Sequence, residues 1–102
     1  MKCIDNRLTF FYAERVKISV FLWDDGNIDH VAAHGVTQWE VEQVFRRHPK
    51  VRRAREGRYQ AAGATEAGRH LVVHFRYLGN GVVRVITARD MTLKERRTHA
   101  RK

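Results

Sequence analysis

The run from Arg69 to Arg89 constrains the fold of this chain more than any other segment. Leu71, Val73, Phe75 and Tyr77 share one parity; His70, Val72, His74 and Arg76 share the other. Successive side chains of a strand point to opposite faces, so Arg69 to Leu78 reads as a strand with one apolar and one polar face. Gly79-Asn80-Gly81 follows as a hairpin turn, and Val82 to Arg89 returns as the last strand. An antiparallel sheet must form around this hairpin, and other elements must cover its apolar face.

The covering elements lie upstream. Val16 to Trp23 is apolar and β-branched and predicts a first strand. Asp24 or Asp25 caps a short helix that buries Ile28, Val31 and Ala32, and Gly35 supplies the left-handed residue that ends it. Thr37-Gln38-Trp39-Glu40 is a capping box, with Val36 and Val41 placed as a hydrophobic staple. The helix it opens buries Val41, Val44 and Phe45 and stops before Pro49. Val51 to Ala54 and Arg58 to Thr65 predict two further strands, the second rich in small residues and so closely packed. Glu66-Ala67-Gly68 is a turn. Thr92-Leu93-Lys94-Glu95 is a second capping box, and it opens a C-terminal helix with almost no apolar stripe. The expected class is α+β in the order β-α-α-β-β-β-β-α: an antiparallel sheet, two N-terminal helices on its apolar face, and a C-terminal helix. The polar face, with His74 and Arg76, is expected to be open. Trp23 and Trp39 read as core anchors between sheet and helices.

With 102 residues there is room for one modest core. The expected division is a domain over 16–102 preceded by an extension over 1–15. Val16 is then a candidate start; the competing reading makes Leu8 to Tyr12 an extra strand. No apolar run reaches the roughly 18 residues of a membrane span, so no membrane partner is expected. Cys3 is the only cysteine and cannot form an internal disulfide, which makes the cytoplasm the default location. Residues 1–50 hold 7 Lys/Arg and 7 Asp/Glu, whereas residues 51–102 hold 13 and 4. The entire net charge of +9 therefore lies in the second half. Such asymmetry points to a polyanion or an acidic protein partner.

Metal chemistry finds little support in this pattern. His30 and His34 are four apart, but the stretch is not His-Glu-x-x-His, and no cysteine or carboxylate completes a known ligand pattern. His70 and His74 share a face without an obvious third ligand. No metal or cofactor is expected. Ser19, the only serine, is in no nucleophile elbow, and Gly79-x-Gly81 closes a hairpin rather than opening a helix. Metal-independent RNA cleavage suits the residues better. It needs a base for the 2′-hydroxyl proton, cations for the charge developing on phosphorus, and an acid for the leaving 5′-oxygen. Arg grips two phosphate oxygens and His works as an acid or base near neutral pH. Arg76, Arg84 and His74 are the candidates. If Leu78 pairs with Val82, Arg76 faces Arg84 and His74 faces Ile86. Two opposed arginines repel, and a bound anion would relieve that; the competing reading is a solvated basic face. Tyr59 and Tyr77 are candidates for stacking a base, with Tyr77 placed toward the core by parity.

Three blocks add a resemblance: Phe21-Leu22-Trp23-Asp24; His34-Gly35-Val36-Thr37; and Val85-Ile86-Thr87-Ala88-Arg89 running into Thr92 to Arg97. In this order they resemble the BrnT family of type II toxins over about Val20 to Arg97. The resemblance implies a RelE-like fold, ribonuclease activity, and a BrnA-like antitoxin that is acidic and carries a DNA-binding module. It leaves open a homodimer or a toxin–antitoxin heterotetramer. It adds His34 and Arg89 as catalytic candidates, because they match the family's Lys-His-Gly and Ser-Ala-Arg motifs. Arg96, after Glu95, matches a Glu-Arg pair in the last helix. Arg58, Tyr59, Arg96 and Arg97 are the RNA-binding candidates. Ala33 departs from the family, which usually has Lys or Arg there, and this puts nuclease activity in question. Two competing functions stay open: a non-catalytic nucleic-acid- or protein-binding module on the same fold, and an interaction protein whose basic face docks a partner.

Overall fold

The computed structural model describes residue 18 and residues 20–100. The expectations for residues 1–15 lie outside that range. Five strands form one sheet: β1 (Val20–Leu22), β2 (Lys50–Arg53), β3 (Arg58–Ala64), β4 (His70–Gly79) and β5 (Val82–Asp90). Helices α1 (Asp25–Ala32) and α2 (Gln38–Arg46) come between β1 and β2, and α3 (Leu93–Ala100) follows β5. The element order is the expected one.

Local chemistry sets the helix ends. Asp24 caps α1: its side chain accepts from the Asn27 amide at 3.0 Å, while the Asp24 amide donates to Asn27 Oδ1 at 2.7 Å. Gly35, at φ +73°, turns the chain after α1. Thr37 caps α2, and its box with Glu40 is formed in both directions. Each box satisfies amides that the helix itself leaves without partners.

The sheet order is β1-β5-β4-β3-β2. Strands β2 to β5 form an antiparallel meander, but β1 pairs parallel to β5, from Val20↔Val82 to Leu22↔Arg84. The sheet is therefore mixed, which corrects the antiparallel expectation. No hairpin joins β1 to β5, so no turn forces them antiparallel; both helices and strands β2 to β4 lie between them in the chain, which permits the parallel pair. Buried Asn27 bridges the seam: its Nδ2 donates to Leu22 O at 2.8 Å and to Val85 O at 2.9 Å.

The core lies between the sheet and the two N-terminal helices. Val31, Val36, Val41 and Val44 meet Leu71, Val73, Phe75, Val83 and Val85, all nearly inaccessible to water. Phe45 packs edge-on against Phe75 at 5.0 Å and against Phe21 at 5.3 Å. Helix α2 comes close to β3 at Gly63, where an added Cβ would lie 3.3 Å from both Pro49 Cβ and Val44 Cγ1. Trp23 packs against this core and donates its indole N–H to Glu42 at 2.9 Å. Trp39 does not: it is 57% exposed, with the Arg46 guanidinium 5.1 Å from its ring centre. The stripe that α2 buries is Val41, Val44 and partly Phe45, and Trp39 falls outside it.

Two details of the hairpin also differ from expectation. Val82 pairs with Gly79 instead of Leu78, and an irregularity between His74 and Phe75 sets His74 opposite Thr87 rather than Ile86. The Arg76↔Arg84 pair forms as expected. The second face is not fully open either. Val72 and Met91 on it are 1% and 8% exposed, and α3 brings His99 near Lys50 and His70.

Candidate functional site

Strand register arranges the second face in rows. Arg58, Arg76 and Arg84 are cross-strand partners on β3, β4 and β5. Gln60, His74 and Thr87 form the next row, and Ala62, Val72 and Arg89 the third. Directly opposed residues in a sheet have Cβ atoms about 4.5–5.5 Å apart, so the first row sets three arginines on neighbouring strands side by side. Arg84 is paired with Asp24 at 2.7 Å. Arg58 and Arg76 are exposed and make no ion pair among the described residues. An oxyanion over this row would meet two uncommitted forks.

His74 lies behind the row. Burial and the neighbouring charge of Arg89 push its imidazolium below the ordinary value of 6.5; Arg58 acts in the same direction and Glu95 opposes it. His74 is therefore neutral at pH 7 and has a lone pair to accept a proton. Thr87 Oγ1, on the residue across from His74, is buried and has no hydrogen-bond partner among the described residues. Buried hydroxyls are nearly always satisfied, so this spot suits an incoming hydrogen-bonding group.

Arg89 is oriented from the start of α3. Its Nη1 and Nη2 donate to the two Glu95 oxygens at 2.7 and 2.9 Å. Glu95 also closes the Thr92 capping box, accepting from the Thr92 amide at 2.9 Å while its own amide donates to Thr92 Oγ1 at 3.1 Å. Arg89 and these backbone contacts hold the Glu95 carboxyl down to about 2. One carboxylate thus fixes both the helix start and the guanidinium fork.

The remaining candidates lie elsewhere. His34 is exposed just after α1 and stacks on His30 at 6.1 Å; it makes no ion pair or hydrogen-bonded side-chain contact with the basic face among the described residues. Tyr59 belongs to the core face, half-buried and stacked on Phe75 at 5.7 Å, so its ring is turned away from the arginine row. Its parity with buried Ala61 carried that information in the sequence. Arg96 and Arg97 are exposed on α3. Among the described residues, no three His, Cys, Asp or Glu side chains gather as a metal site, and no helix is long and apolar enough to cross a membrane.

Sequence reading missed Arg69. It donates through Nε to Asp90 at 2.7 Å, and through Nη1 to Gly35 O at 2.8 Å and to Glu40 at 3.1 Å. It thereby ties the α1–α2 loop, which carries His34, to the end of β5 beside Arg89. No local motif marks such a clamp, because its partners are distant in sequence.

The family model of the BrnT ribonuclease toxin of type II toxin–antitoxin systems matches residues 23–95. The chain belongs to this family. The match contains all three arginines of the first row, His74, Arg89 and Glu95. Among solved structures, the crystal structure of the Brucella abortus ribonuclease toxin BrnT is similar at a TM-score of 0.59 and 22% identity, covering 72% of this chain and 96% of that one. At that identity the likeness concerns the fold. No curated protein matches.

Proposed function

We propose that this BrnT-family chain cleaves single-stranded RNA without a metal ion, on the sheet face bearing Arg58, Arg76, Arg84, His74 and Arg89. The observation that carries this is half-buried His74, whose charged form its surroundings disfavour, one row from arginines that are only partly neutralised. His74 takes the proton of a 2′-hydroxyl as its oxygen bonds to phosphorus. Arg76 and Arg58, with Arg84 and Arg89 at the margins, stabilise the added negative charge. The P–O5′ bond breaks, and water at the exposed face protonates the leaving oxygen. Arg96 and Arg97 extend the basic track for the strand. His34 and Tyr59 take no part in this centre.

In the cell, on this reading, the protein is a cytoplasmic toxin that arrests growth. A BrnA-like antitoxin lays an acidic segment over the same arginines and closes the site. The sheet with its covering helices then belongs to the RelE-like class.

The decisive experiment incubates purified protein with single-stranded RNA in excess chelator. Wild type should cleave, and His74→Gln should lose about 10²–10⁴-fold in rate while keeping its melting temperature. Cleavage unaffected by His74→Gln would remove His74 from the centre, and cleavage abolished by chelator would end the metal-independent route. The second reading, a non-catalytic RNA-binding module, draws on Ala33 beside His34 and on the closed Arg89–Glu95 pair. It predicts salt-sensitive binding with no product.

A further inference from the structure

A second feature of the basic face lies beyond the reacting groups. Between α3 and strands β2 and β3 there is a cavity of about 600 Å³, within the roughly 300–1,000 Å³ typical of small-molecule sites. Val72, Ala62 and Met91 line it and make it apolar at its base. Gln60 and Glu95 belong to its wall. Gln60 is the cross-strand partner of His74, and Glu95 holds Arg89. The cavity is therefore next to the proposed reaction centre and shares structure with it.

The lining has the chemistry of a nucleobase site. An apolar base suits a planar ring. His99, half-buried on α3, supplies an aromatic face. Burial, with the charges of Lys50 and His70, keeps His99 below its ordinary value and hence neutral. The Gln60 side chain makes no hydrogen bond among the described residues, so its amide is available to a ligand. That amide presents one donor and one acceptor, the complement of adenine N7 and N6. Lys50 and Arg52 on β2 provide cations at the cavity for a backbone phosphate.

We propose that this cavity is a base-specificity subsite that seats an adenine of the RNA strand whose phosphate lies over His74 and the arginine row. Gln60 reads the base and His99 stacks on it. This rests on the RNA-cleaving reading for its purpose, but binding at the cavity is measurable without cleavage.

The test titrates the full chain with two uncleavable 2′-O-methyl trinucleotides, one with adenine and one with uracil at its centre, followed by NMR. The Met91 methyl, the Gln60 side-chain amide and the His99 ring should shift, with about tenfold tighter binding of the adenine probe, as one bidentate base contact provides. Gln60→Ala should erase the preference while leaving charge-driven binding. Gln60→Glu, which preserves size, should turn selection away from adenine. Equal affinity for both probes, shifts confined to the arginine row, or a preference that survives in Gln60→Ala would overturn the subsite. If wild type cleaves no RNA but the adenine probe seats here, the ribonuclease reading fails and the subsite stands. If RNA is cleaved and no probe enters, the reverse holds.

Discussion

The two faces of the sheet are built from the same strands and often from adjacent residues, yet they obey different rules. On one face Leu71, Val73 and Phe75 are sealed beneath α1 and α2. One residue further along β4, Arg76 is exposed and opposed by arginines on both neighbouring strands. Burial of the first set stabilises the fold through apolar area removed from water. The second set opposes folding slightly through repulsion between like charges. The sealed face contributes stability, and the basic face gives up a little of it.

The largest test of this contrast pairs two neighbours. Phe75→Ala should cost about 3–5 kcal/mol of stability, as large-to-small changes in a sealed core do. Arg76→Ala should stay within about 0.5 kcal/mol. Urea denaturation compares them directly, and similar losses would mean that the faces are not specialised as described.

The second test concerns RNA. Each arginine of the first row that contacts a phosphate should contribute roughly 0.7 to the slope of log affinity against log salt. Removing Arg58 and Arg76 together should flatten that slope with little change in melting temperature. An unchanged slope would place the RNA elsewhere.

A smaller effect separates the titrating groups. His74 has a folded value below 6.5, so the unfolded chain takes up its proton first as pH falls. Its contribution to stability is complete above 6.5 and is lost as pH drops through the lowered value. Arg89→Ala removes a cation that depresses His74 and leaves Glu95 unpaired. The His74 titration, followed by NMR, should then move upward; a downward move would contradict the assigned causes.

The smallest effect belongs to Glu95. Its carboxyl is lowered from 4.5 to about 2, so its stabilisation is present above 4.5 and fades as pH falls toward 2. Arg89 and Glu95 are each about a third exposed, and pairs at the surface contribute about 0–1 kcal/mol. Glu95→Gln should therefore lower stability by no more than about 1 kcal/mol at pH 7, and the loss should shrink as pH falls through about 2. A loss that stays undiminished across that range would assign the effect to the capping geometry instead.

Local chemistry made much of the fold legible. The capping boxes at Thr37 and Thr92, the turn at Gly79 to Gly81 and the alternation along β4 all depend on residues within a few positions of one another. Long-range features were not legible. The parallel seam between β1 and β5 depends on where a distant strand returns, and Asn27 joins it through backbone carbonyls that no motif announces. At the candidate site, parity brought out His74, Arg76 and Arg84. It did not reveal the irregularity that sets His74 opposite Thr87, nor the Arg69 clamp. Trp39 was misread because aromatic size suggests burial, whereas its position on α2 faces outward.

The pairing of the first described strand with β5 also has a temporal side. Synthesis delivers β1 early, but its partner emerges only after almost every other element has left the ribosome. Until then the meander lacks its last strand, and Arg84 and Arg89 have not been brought beside His74's strand. The three cross-strand rows of the basic face thus come into being only once β5 has been made and has paired with β4.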